Sequence, residues 1–150
     1  MKKTINTIAA LIIVLVFSSA FAADKIMIHN AWVRSAPPNA KVLAAYMDII
    51  NKSDEPRALT AVSSSLFGKV EMHKTEIHGE MMKMVHQIQM EIPAHGSLTL
   101  EPGGRHLMLM YPKSVPLEGE QVDIELHFDN GLVLHINAPV RAAKGGGMMD

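Results

Sequence analysis

Residues 122–136 read VDIELHFDNGLVLHI, and they have the pattern of two strands joined by a tight turn. Apolar and polar side chains alternate on both sides of Asp129-Asn130-Gly131, as they do in strands that bury one face. Asn-Gly between two alternating runs is the strongest short-range signal for a β-hairpin, because both residues tolerate the positive φ of the turn. The sequence therefore predicts a hairpin of strands 122–128 and 132–136.

Similar short segments precede this hairpin, and residues typical of turns separate them. None has a long apolar stripe bounded by helix caps, so we expect little helix. Short strands at regular spacing favour an antiparallel sandwich or barrel. The other expected strands are 25–29 continued by 31–33, 42–50, 59–63, 69–77, 82–90, 97–100 and 107–111.

The composition excludes several classes of function. The chain of 150 residues is 48% hydrophobic, which suits one globular domain, and its formal net charge of −1 gives no basic surface for nucleic acid. Cysteine is absent, so disulfides, thiol exchange and the cysteine-ligated copper of blue-copper electron carriers are excluded. Methionine is abundant, with 12 residues, but methionine is often only adaptable core filler.

The chain begins with the three parts of a secretory signal peptide. Lys2 and Lys3 precede an apolar run, and Ala20-Phe21-Ala22 has the small-residue pattern of a cleavage site. Cleavage is expected after Ala22, with Ala23 as the alternative. The apolar run is shorter than the ~20 residues of a spanning helix, so we expect export to the periplasm without membrane insertion after cleavage.

The expected organisation is therefore a signal peptide of residues 1–22, a β-sandwich domain of residues 23–141 and a flexible tail of residues 142–150. The tail is rich in glycine, and Met148 and Met149 follow three glycines from which they could reach a bound ion. A disordered chain end is the commoner explanation of such a tail.

A second stretch, residues 103–110, carries the side chains that suggest chemistry; it reads GGRHLMLM. Alternation along a strand places His106 and Met108 on one face and the intervening leucines on the other, which is the natural core face. Residues 69–73 are similar, because apolar residues would face inward and leave His73 on the outer face beside Glu71. Met84 interrupts a polar stretch between these two segments.

Imidazole and thioether donors suit copper(I). Thioether sulfur is soft and neutral, and it favours copper(I) over hard ions such as calcium or magnesium. Methionine also needs no deprotonation and cannot be lost to a disulfide, which fits an oxidising compartment. Each residue taken alone is more simply a surface histidine or a core methionine, so the spacing carries the argument.

The spacing His73, Met84, His106 and Met108 resembles the H-x10-M-x21-H-x-M signature of the periplasmic PCu(A)C copper chaperones. The resemblance covers nearly the whole expected mature chain, from about residue 26 to 139, and it includes the segments VEMH, MKM, IPA and PGG. Many members have a second methionine directly after the first histidine, where this chain has Lys74. That methionine is optional in the pattern.

The resemblance implies a fold, a ligand set and partners. The fold is an all-β, cupredoxin-like antiparallel β-sandwich of Greek-key type with little helix. The metal ligands are His73, Met84, His106 and Met108, and the ion is copper(I). The implied role is non-enzymatic delivery of copper towards respiratory cytochrome oxidase, with its copper-binding subunit or another copper chaperone as the acceptor.

Three other functions remain as alternatives. A periplasmic copper buffer or resistance protein would sequester copper(I) without delivering it. A mononuclear copper oxidase or dismutase would have to hold both oxidation states of copper, which favours three or more histidines, so we do not expect an enzyme. A purely structural sandwich would make the histidine and methionine spacing a coincidence.

The remaining histidines and methionines are assigned lesser roles. A weak second copper site at His78, Met81 and Met82 is an alternative to surface exposure. We expect His86 and His95 to be surface residues and the other three to form hydrogen bonds within strands: His29, His127 and His135.

Overall fold

Ten strands and no helix make up residues 25–143, the part of the chain that the computed structural model describes. The predicted signal peptide and residues 144–150 of the predicted tail lie outside the described residues. No helix between residues 25 and 143 has the length and apolar character of a membrane span. The strands are β1 (Ile26–Arg34), β2 (Val42–Asn51), β3 (Arg57–Ser63), β4 (Phe67–His78), β5 (Met81–Gln87), β6 (Met90–Ile92), β7 (Ser97–Leu100), β8 (Arg105–Pro112), β9 (Gln121–Phe128) and β10 (Val133–Arg141).

The strands form the two layers of a sandwich. One layer has the order β5, β4, β8, β2, β1, with β7 also paired to β2, and the other has the order β10, β9, β3, β6. Neighbouring strands are antiparallel except for β1 and β10, which run parallel through Val33–Val140 and Arg34–Arg141 and join the two layers. The predicted all-β sandwich is confirmed, with one parallel pair where the first and last strands meet.

The hairpin predicted from residues 122–136 is present as β9 and β10. Their register pairs Val133 with His127 and continues to the pair of Pro139 and Gln121, and Gly131 in the turn has a φ of 82°. Alternate residues of β9 are buried in the core between the layers: Val122, Ile124, Leu126 and Phe128. Burial of this face fixes the register, because a slip of one residue would expose all four side chains.

The single strand predicted for residues 82–90 is wrong, because the chain divides it between two layers. β5 is the outermost strand of the first layer, whereas β6 pairs with β3 in the second. The chain crosses between the layers after Gln87, and Ile88 at the crossing is almost fully exposed. An alternation pattern does not reveal such a crossing, since both halves have strand character.

Candidate metal centre

Strands β4 and β8 are neighbours, and they place His73 and His106 directly opposite each other. The centroids of the two imidazole rings are 5.8 Å apart. Both residues are buried, with 9% of His73 and 5% of His106 exposed. Two histidines that are distant in sequence therefore form one pair in the sheet.

The leucines of β8 determine which way its polar side chains point. Leu107 and Leu109 are completely buried in the core between the layers. Because side chains alternate across a strand, His106 and Met108 lie on the opposite face, away from the second layer. The face predicted from residues 103–110 is confirmed, and His73 shares this face because it is paired with His106.

A tight turn places Met84 near the histidine pair. β4 and β5 are joined by Gly79 and Glu80, and Gly79 has a φ of 63°, which residues with a side chain adopt only with strain. The resulting register pairs Met84 with Thr75, so Met84 lies on the same face as His73. Its position on the edge strand leaves 58% of its surface exposed.

Three of the four predicted ligands line one surface pocket of about 460 Å³: Met84, His106 and Met108. The other walls of the pocket come from Arg34 at the end of β1, from residues 35–37 after it, and from β2. The fourth predicted ligand, His73, lies beside His106 on the neighbouring strand. The fold thus gathers all four residues on one face of β5, β4 and β8.

Glu71 is an ionised carboxylate beside His73. The ammonium group of Lys69 contacts one of its oxygens, and Nε2 of His73 lies 2.8 Å from the other. The hydrogen bond from Lys69, followed by the one from His73, lowers the pKa of Glu71 to about 2. An ionised carboxylate only accepts hydrogen bonds, so Nε2 of His73 is the donor in this contact.

This hydrogen bond leaves the other ring nitrogen of His73 free. In a neutral imidazole with its proton on Nε2, Nδ1 carries a lone pair. Nδ1 of His73 is buried, and no residue between 25 and 143 forms a hydrogen bond with it. A buried lone pair without a partner costs free energy, and it is the arrangement that a metal ligand requires.

His106 is oriented in a similar way by the backbone. Its Nδ1 lies 3.2 Å from the carbonyl oxygen of Gly104, which can only accept, so Nδ1 donates and Nε2 carries the lone pair. Burial lowers the pKa of His106, the hydrogen bond to Gly104 opposes that change, and the electrostatic interaction with His73 adds to the lowering. The ring therefore stays neutral, and able to bind a metal, at a lower pH than an exposed histidine does.

Histidine and carboxylate groups alone do not form a metal site here. Within residues 25–143, no group of three or more histidine, aspartate or glutamate residues is placed to hold an ion. A metal on this face would therefore need the sulfurs of Met84 and Met108 in addition to the two imidazoles. Such a mixed set of soft and borderline donors fits copper(I).

The residues of the predicted weak second site do not share one face. His78 pairs with Met81 at the end of the β4–β5 hairpin, and Ile77 pairs with Met82. Met82 is therefore on the face of Met84, whereas His78 and Met81 point to the other side. This division argues against one ion bound by all three.

His86 is the residue whose position the sequence analysis missed. It was expected only to be a surface residue, and it is exposed, but it pairs with His73 across β5 and β4. The two ring centroids are 5.7 Å apart. Its spacing of two residues from Met84 was the available signal, because the two side chains then share a face of one strand.

The other histidines lie away from this face. Nε2 of His95 is 2.7 Å from Asp54 at the surface. Both His127 and His135 are within ion-pair distance of Glu125. The ring of His29 forms no hydrogen bond with another described residue, contrary to the expectation for it.

Comparisons with known proteins agree with this geometry. The LpqE-like lipoprotein family model matches residues 26–140. A protein of Leifsonia xyli subsp. xyli named as a lipoprotein is 30% identical over 125 residues, which are 82% of this chain and 74% of that protein.

Two solved structures have the same fold. The copper(I) form of DR1885 from Deinococcus radiodurans is 36% identical, with a TM-score of 0.64 and 87% of each chain covered. The copper-bound PCuAC domain of PmoF2 is 26% identical, with a TM-score of 0.68, and the match covers 79% of this chain and 94% of that domain. The chain therefore belongs to the PCuAC family, which the LpqE-like model describes.

Proposed function

We propose that this protein is a copper(I) metallochaperone that binds one ion on the outer face of β5, β4 and β8. The proposed ligand atoms are Nδ1 of His73, Nε2 of His106 and the sulfurs of Met84 and Met108. The observation that carries the proposal is the buried, unpaired Nδ1 of His73, which remains free because Nε2 of the same ring bonds to Glu71. The copper named in both structural relatives supports the choice of metal.

The donor set favours the reduced ion. Two neutral sulfurs and two neutral nitrogens add no negative charge, so the site suits the single charge of copper(I). Without cysteine, the site cannot be inactivated by disulfide formation in an oxidising compartment. This property fits the proposed export to the periplasm, with removal of residues 1–22 as a signal peptide.

Exposure of Met84 favours delivery over storage. Met84 is on the outermost strand and is the most exposed of the four proposed ligand residues, whereas both histidines are buried. An acceptor could displace Met84 first, bind the ion with its own ligand, and then displace the remaining ligands. Copper would pass between proteins without being released into solution. We propose the copper-binding subunit of cytochrome oxidase, or another copper chaperone, as the acceptor.

The test is the rate of transfer to a copper-free oxidase copper-binding domain. Direct ligand exchange predicts transfer within minutes, with a rate that rises as the acceptor concentration rises. A sequestering buffer would release copper at one slow rate whatever the acceptor concentration. That result would replace delivery with sequestration, the function that burial of both histidines would favour.

A further inference from the structure

A second surface pocket, of about 460 Å³, lies where the first and last strands of the sandwich meet. Its lining includes Trp32 and Arg34 of β1 and Arg141 of β10. Arg34 also lines the pocket that contains three of the proposed copper ligands. The two pockets therefore adjoin, with Arg34 as their shared wall.

Two positive charges lie side by side in this second pocket. Arg34 and Arg141 are partners in the parallel pairing of β1 and β10, and both are exposed. Neither forms an ion pair with a carboxylate between residues 25 and 143, whereas Arg57 is paired with Glu55. Like charges at directly paired positions destabilise a sheet, so a bound anion would offset this cost. The positive charge is local, because the formal net charge of the whole chain is −1.

The indole of Trp32 orients the guanidinium group of Arg141. Cζ of Arg141 lies 5.4 Å from the centroid of the indole ring, which is a cation–π distance. The indole packs in turn against Tyr46, and the two ring centroids are 4.8 Å apart. A guanidinium group stacked in this way keeps the N–H groups at its edge available, and their fixed fork matches the two oxygens of a carboxylate. The pocket therefore offers an oriented donor to a carboxylate.

We propose that Trp32, Arg34 and Arg141 form a docking surface for an acidic segment of the protein that accepts the copper. The two arginines without carboxylate partners supply the charge complementarity, and their common pocket adjoins that of the copper ligands. Docking here would bring the acceptor's own ligands close to Met84, the most exposed of the proposed copper ligands. The inference rests on the proposed function, because the partner is the proposed acceptor.

The first measurement needs no copper. Trp32 is the single tryptophan of the chain, so its fluorescence reports directly on this surface. The apoprotein is titrated with hexaglutamate at low ionic strength, and hexalysine is the peptide of opposite charge. We expect a saturable change with hexaglutamate alone, and binding about threefold weaker in Arg141→Gln, which is the size typical of an exposed ion pair.

Lys52→Gln is the matched control for the loss of one positive charge. Lys52 is exposed and follows Asn51, which pairs with Ile26 at the opposite end of β1 from Arg34. This variant should therefore bind hexaglutamate as the wild type does.

The second measurement is the rate of copper(I) transfer to the copper-free oxidase copper-binding domain. Arg141 does not line the pocket of the copper ligands, so Arg141→Gln should keep its copper(I) affinity. Its transfer rate should fall about threefold at low ionic strength, because opposite charges speed the encounter of two proteins. The difference should vanish near ~1 M salt, where charges are screened beyond about 3 Å. Arg141→Lys should give an intermediate rate, because it keeps the charge but loses the fork.

Three results would overturn this inference: no fluorescence response to hexaglutamate, equal effects of Arg141→Gln and Lys52→Gln, or a response to phosphatidylglycerol vesicles without one to hexaglutamate. The last result would assign the surface to a membrane. Each of these leaves the proposed function intact as long as the wild type transfers copper(I). A wild type that binds hexaglutamate but transfers no copper(I) overturns the delivery function, and with it the acceptor as the docking partner.

Discussion

Nε2 of His73 and Oε2 of Glu71 lie 2.8 Å apart, and the two residues are neighbours on one face of β4. The same spacing recurs at the end of β4, where Nε2 of His78 is 3.3 Å from Glu76. Of these two histidines, His73 has the buried and unpaired Nδ1. Comparing substitutions of Glu71 and Glu76 therefore distinguishes the effect of orienting a metal ligand from the effect of removing a nearby charge.

Replacing Glu71 should weaken copper binding although Glu71 is not a proposed ligand. In Glu71→Ala, no acceptor holds the proton of His73 on Nε2. The ring is then free to rotate, and its proton can move to Nδ1, which in that form has no lone pair for a metal. Removing a residue that orients a metal ligand typically lowers the metal affinity roughly 10–100-fold. We expect copper(I) to bind about tenfold more weakly, measured by competition with a chelator. Glu76→Ala is the matched control and should bind as the wild type does. Equal affinities for Glu71→Ala and wild type would contradict the assignment of Nδ1.

Removing either proposed sulfur should weaken copper(I) binding without unfolding the domain. Met84→Leu and Met108→Leu keep the bulk of the side chain, so thermal unfolding should change little. Each should lower copper(I) affinity, and His73→Ala and His106→Ala should lower it at least as much. Met110→Leu, two residues further along β8 on the same face, is the control. If Met108→Leu binds no more weakly than Met110→Leu, the site is wrongly placed.

The copper(I) affinity should fall on acidification, because two of the four proposed ligands are histidines. A proton and the ion compete for the same lone pair, so affinity is lost as pH falls through the pKa of each histidine. Burial lowers the pKa of His106, so a proton should compete with the ion for its lone pair only below pH ~6.5. Affinity measured from pH 8 to pH 5 should be flat at first and then decline, with residual binding by the methionines. A flat profile down to pH 5 would rule out histidine as a dominant ligand.

Asn51 should be a large contributor to stability. It is completely buried; its Nδ2 donates to backbone carbonyls, including Ile92 and Pro93, and its Oδ1 accepts two bonds from Ser53. Asn51→Ala removes all of these hydrogen bonds, including a buried one to the carbonyl oxygen of Ile92, and we expect a loss of about 3 kcal/mol in the free energy of unfolding, measured with urea. Asn137→Ala, at an exposed position of β10, should cost less than about 0.5 kcal/mol. A similar small loss for Asn51→Ala would show that water replaces the network.

The sequence was sufficient for local features and insufficient for relations between distant segments. Alternation around Leu107 and Leu109 correctly placed His106 and Met108 on one face, because that pattern depends only on the pleat of one strand. The pairing of β8 with β4 depends on the order of strands in the layer, which no local pattern encodes. For the same reason, the proximity of His86 to His73 and the free nitrogen of His73 emerged only from the fold.

The outermost position of β5 has a consequence for the dynamics of the domain. Its backbone is hydrogen-bonded to a neighbouring strand, β4, on one side only. Local unfolding that separates β5 from β4 is therefore expected to cost little free energy. An ion bound to both Met84 and Met108 would fasten β5 to β8 across β4, and ligand binding stabilises the closed form by mass action. Amide hydrogens of β5 should then exchange with solvent more slowly in the loaded protein than in the apoprotein, while those of β9 change little. Fraying of this one strand would provide the opening step that releases the cargo, and the core need not open.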